Sequence, residues 1–88
     1  MNKCLKIMIS GDIPKHFLRD VLQKNAKKLN LEGIVQAANE GTFRIIVCGD
    51  KDAVDSFLDL LHKAGIIDLE IEPFLKDKDY RGVFRIIE

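Results

Sequence analysis

Eighty-eight residues, 47% hydrophobic and 32% charged, describe one small globular domain rather than a disordered chain. Lys plus Arg equal 14 and Asp plus Glu equal 14, which speaks against a dedicated nucleic-acid binder and against a polybasic membrane anchor. No apolar run nears the ~20 residues of a membrane span, and Met1–Ser10, broken by Lys3 and Lys6, has no signal-peptide cleavage site, so a cytoplasmic location is expected.

Residues Cys4–Ser10 alternate, with Leu5, Ile7 and Ile9 on one side, and predict a half-buried strand. Gly11–Lys15, containing Pro14, reads as a loop. From about Phe17, Leu18, Leu22, Ala26 and Leu29 fall at helical spacing, with Lys24, Lys27 and Lys28 on the wet side. A short apolar strand at Gly33–Ala38 leads through the turn Asn39-Glu40-Gly41 into Phe43, Ile45 and Val47, which predicts a hairpin. Asp50 or Asp52 is a candidate cap for a second helix, whose Val54, Phe57, Leu58 and Leu61 form one apolar face. His62 and Lys63 suit its C-terminal end, and Gly65 suits its stop. Strands are expected in Ile66–Phe74 and at Val83–Ile87, with a charged loop at Lys76–Gly82 between them.

The order is β-α-β-β-α-β plus a fifth strand. It predicts an α+β ferredoxin-like sandwich, an antiparallel sheet with two helices on one face. The hairpin's second strand should then lie beside the first strand of the chain. In that register Cys4 and Cys48 share one end of the sheet, on the face away from the core. Their Cα atoms are expected within ~7 Å, which permits a disulfide in an oxidised sample. Two common functions of this fold find no support. RNA recognition needs stacking aromatics on the central strands, and only Phe43 is offered there. Metal transfer needs paired cysteines in the loop after the first strand, and that loop has none.

A family pattern does fit. Gly11 and Arg19 stand at the separation found in Gly-x-Val-Gln-Gly-Val-Gly-Phe-Arg. Ala26, Leu29, Leu31, Gly33 and Val35 follow at matching steps, then Glu40-Gly41, Gly49, Val54, Phe57, Leu61 and Gly65, without a gap. Gly82 and Phe84-Arg85-Ile86 resemble a closing Gly-Phe-x-Ile, with Val83 inserted. Over nearly the whole chain the sequence resembles the acylphosphatases. That resemblance implies hydrolysis of small acyl phosphates without metal or cofactor. It implies a Gly-rich loop whose backbone N–H groups hold the phosphate, an Arg clamp, and an Asn that orients the attacking water.

The departures fall on that machinery. Arg19 keeps the clamp position. Two glycines of the loop are replaced by Lys15 and Phe17, a cost of about 1–2 kcal/mol each if those positions need positive φ. Phe17 is also placed to occupy the phosphate's space. The Asn position, two residues after Val35, is Ala37. Asn39 lies about 6.6 Å further along a regular strand, too far to replace it. The expected anion-binding segment is Lys15, His16, Phe17, Leu18 and Arg19. The reading that follows is an acylphosphatase-like protein with weak or lost hydrolysis and a retained anion-binding loop. The alternatives are an active acylphosphatase with a rearranged loop and a non-enzymatic interaction module. Taken without the resemblance, Arg19 is a solvated helix residue paired with Asp20 or Asp12.

Overall fold

The computed structural model describes residues 2–11, 13–39, 41–66, 68–75 and 82–87, and within them not the side chains of Lys15 and Asn39. Asp12, Glu40, Ile67 and most of the expected charged loop (residues 76–81) lie outside the described residues.

Strand β1 (Asn2–Ser10) is followed by a helix built from three consecutive pieces, here together α1. These are an α turn at Lys15–Phe17, a π-helical segment at Leu18–Gln23 and an α piece at Lys24–Lys28. Strands β2 (Glu32–Asn39) and β3 (Thr42–Asp50) form the hairpin, turning at Gly41 with φ 75°. Helix α2 (Lys51–Lys63), strand β4 (Asp68–Pro73) and strand β5 (Phe84–Ile87) complete the chain. Asp50 caps α2, its carboxylate accepting from the Asp52 N–H at 3.2 Å. Gly65 ends the helix with φ 83°.

The 5-stranded sheet runs β4-β1-β3-β2-β5. As the ferredoxin-like order requires, β3 lies antiparallel to β1, with Leu5 opposite Val47 and Ile7 opposite Ile45. One pairing departs from the antiparallel sheet expected. Strand β5 runs parallel to β2, Val35 opposite Ile86, so the sheet is mixed. It reaches the edge opposite β4, where only β2's outer side remains to be paired.

Leu5, Ile7, Ile9, Ile45 and Val47 bury against Leu18, Leu22 and Ala26 of α1 and Val54, Phe57 and Leu61 of α2. Leu29 and Leu58 are partly buried against this core. Leu31, Val35 and Phe84 complete it, and the Phe84 ring tilts against Phe57 with centroids 5.8 Å apart. Gly33 is required by close approach: its φ is 146°, and a Cβ there would collide with the Ile46 backbone carbonyl.

The other face of the sheet is less open than alternation suggests. Ile34, Ile46 and Cys48 are buried there, with Cys4 and Phe74 packed against them. Cys4 sits directly opposite Cys48, Cα atoms 4.1 Å apart, and a disulfide joins them.

Candidate functional site

The site begins in α1. Between Leu18 and Gln23 the backbone winds as a π-helix, a wider turn that inserts one residue per turn and often marks functional positions. Arg19 lies on this segment and is exposed, while its neighbour Leu18 is buried. Two side-chain amides hold the segment's far end. Asn25 donates to the Val21 carbonyl at 2.7 Å. Gln23 donates to the Phe84 carbonyl at 3.1 Å, tying α1 to β5.

Between these two elements opens a groove of about 230 Å³. Leu18 and Arg19 line it from α1, Val35 and Ala37 from β2, Phe43 from β3, and Ile86 and Ile87 from β5. The structure therefore brings Arg19 and Ala37 into one groove although they come from different elements. Arg19 is the only polar side chain among these lining residues; the rest is hydrocarbon.

Of the other expected positions, Leu18 joins Arg19 in the groove lining, whereas His16 and Phe17 do not. His16 is exposed and does not line the groove. Phe17 does not block it: its side chain packs against the core, and it is absent from the groove lining. The strain expected at Lys15 and Phe17 is also absent. Both lie in helical backbone, Phe17 at φ −62° and ψ −43°. Among the described residues Asn30 alone takes positive φ without being glycine.

The turn engages one N–H of the expected anion-binding segment, and two further bonds tie down the loop before it. The Phe17 N–H donates to the Pro14 carbonyl at 3.0 Å, the Ile13 N–H to the Gly11 carbonyl at 3.0 Å, and the Gly11 N–H to the Gly41 carbonyl at 2.9 Å. Pro14 has no N–H to offer. Nor is strand β2 regular as far as Asn39. Ala37 pairs with Phe43 and Asn39 with Thr42, so a bulge lies between them and the two-residue alternation breaks.

Sequence reasoning missed Phe43, Ile86 and Ile87 as groove walls. The available signal was the parity of Val35, which places Ala37 on the helix face. The parallel register that brings Ile86 beside it was not written locally in the chain. The groove's electrostatics are simple. Among the described residues the perturbed ionisable groups are Lys51 and Asp55, which belong to α2 and do not line it. Among the described residues no group of three or more His, Cys, Asp or Glu is placed to hold a metal ion. No helix among them is long and apolar enough to cross a membrane.

Comparison with known proteins gives a consistent answer. The sequence model of the acylphosphatase family matches residues 5–85. An acylphosphatase of Coxiella burnetii is 29% identical over 51 residues, a match spanning 58% of this chain and 54% of that protein. One from Dehalococcoides mccartyi is 36% identical over 59 residues, 66% of this chain and 65% of its own length. The chain thus spans about half to two thirds of these relatives in sequence. The crystal structure of the Bacillus subtilis acylphosphatase superposes with a TM-score of 0.82 over 100% of both chains at 21% identity, a likeness of fold.

Proposed function

The chain belongs to the acylphosphatase family, and we propose that it is a member in which acyl-phosphate hydrolysis is weak or lost while the groove beside Arg19 is kept. One observation carries this reading. The groove wall holds a methyl group, Ala37, where the family pattern has its Asn, and among the described residues no lining side chain besides Arg19 is polar. In-line attack on a phosphoryl group requires a water held at a fixed angle, and a methyl group holds none. Loss of one such positioned polar group costs about 10²–10³-fold in rate. The Phe17 N–H, one of the expected cradle donors, is engaged with the Pro14 carbonyl as well. Arg19 remains as a planar clamp for an anion.

A stepwise rescue tests the proposal. Ala37→Asn alone should leave turnover of a generic acyl phosphate near background, because the loop is still wound. Adding Lys15→Gly and Phe17→Gly frees the first turn and should raise turnover well above the single variant. A full recovery with Ala37→Asn alone contradicts the role given to the loop.

A cytoplasmic setting belongs to the same proposal. Cys4 and Cys48 test it, since a reducing compartment would hold them as thiols. Thiol trapping in intact cells followed by mass spectrometry separates the two states.

A further inference from the structure

The groove's chemistry does not match a phosphate. Phosphate presents several acceptor oxygens and up to two charges, and each buried oxygen left without a donor costs free energy. Among the described residues Arg19 is the only charged one lining the groove, and the Phe17 N–H of the adjacent turn is engaged with the Pro14 carbonyl. A carboxylate has two oxygens and one charge, which one guanidinium fork satisfies in a single bidentate contact. The remaining walls, Leu18, Val35, Phe43 and Ile86, offer only hydrocarbon. Apolar walls with one oriented polar group are the usual make-up of a small-molecule site. Size sets a further limit. An apolar cavity of roughly 150 Å³ holds benzene, and this groove is about 230 Å³. A ring or a branched chain fits, with room for a carboxylate.

We infer that the groove is a binding site for a small apolar monocarboxylate, aromatic or branched aliphatic, held by its carboxylate at Arg19 with its hydrocarbon against Val35, Phe43 and Ile86. The inference rests on the reading above, that this groove is the family's site with its phosphate cradle withdrawn. Arg19 already has an interaction in the structure, and the ligand joins or displaces it.

The test is a titration of the full chain with benzoate, inorganic phosphate and benzyl alcohol. Backbone amide NMR locates the binding and calorimetry gives the affinity. Benzoate should shift the amides of Leu18, Arg19, Ala37 and Phe43 and bind at least about tenfold more tightly than either other probe. Arg19→Gln should weaken benzoate about tenfold and leave benzyl alcohol unchanged. Circular dichroism checks that this variant is folded, and the comparison of benzoate with phosphate needs no variant. Three results would overturn the inference. They are phosphate binding as tightly as benzoate, benzoate binding elsewhere or not at all, and an Arg19→Gln protein with unchanged benzoate affinity. The outcome is separable from the hydrolysis reading. Rapid acyl-phosphate turnover with selective benzoate binding would defeat only the lost activity, and absent turnover with no benzoate binding would defeat only the ligand.

Discussion

The two helices lie on the same face of the sheet and bury comparable side chains, yet they are built differently. Helix α2 is regular. It has an Asp50 cap, an apolar face of Val54, Phe57 and Leu61, ion pairs Lys51–Asp55 at 3.0 Å and Lys63–Asp59 at 3.1 Å, and a glycine stop. Helix α1 changes winding twice, and neither junction, at Phe17 or Gln23, carries a side-chain cap. Of the two helices, α1 alone contributes described residues to the groove lining. Local rules are obeyed where the helix serves stability alone and are broken where it also shapes a site, a pattern common at functional positions.

Truncations inside the shared core should not distinguish the helices. Leu22→Ala in α1 should cost about 2–5 kcal/mol and Phe57→Ala in α2 about 3–5 kcal/mol, measured by urea unfolding. A loss below ~1 kcal/mol for Leu22→Ala would mean that the π segment is not packed as described. Exposed changes should separate them. Asp50→Ala removes the α2 cap and should cost about 0.5–2 kcal/mol. Arg19→Ala, on the exposed side of α1, should change stability by less than ~1 kcal/mol. Equal losses from these two would erase the distinction between a structural helix and a site-bearing one.

The smallest expected effect depends on pH. Asp55 accepts from Lys3 of β1 and from Lys51 of α2, each at 3.0 Å. The hydrogen bond from Lys3, then that from Lys51, holds its carboxyl below the ordinary range. Its hydrogen bond to Asp55 in turn raises Lys51. A lowered carboxyl stabilises the fold above its unfolded pKa and loses that contribution as pH falls through the folded one. Wild type should therefore exceed Asp55→Asn slightly in Tm at neutral pH, and the gap should close as the solution is acidified below the ordinary carboxylate range. The difference is small because all three groups are solvent-screened. A gap that widens on acidification would reverse the assigned sign.

Much of this fold was legible because its signals are local. Alternation placed Leu5, Ile7 and Ile9 on the core side and, with the hairpin, set Cys4 opposite Cys48. The spacing of Val54, Phe57 and Leu61 gave α2. The rest depends on partners far away in the chain. Strand β5 is parallel because of which edge it reaches, and four residues of Phe-Arg-Ile-Ile do not encode that choice. Within the π segment Leu18 and Leu22 are buried and Gln23 donates to the Phe84 carbonyl, a partner 61 positions away. Lys15 and Phe17 were read against an open loop, whereas the chain wound that loop into helix and removed the strain. The family resemblance points to Arg19 and Ala37, but that hydrocarbon from β3 and β5 encloses them follows from strand pairing that no local pattern carries.

The most direct test of the account is the hydrolysis of benzoyl phosphate or acetyl phosphate by the unaltered chain, with Arg19→Ala as control. With Ala37 in place of a water-holding side chain and a wound loop, turnover should stay close to the spontaneous rate and change little in the control. Rapid hydrolysis by the unaltered chain that collapses in Arg19→Ala would contradict the account and establish a working acylphosphatase.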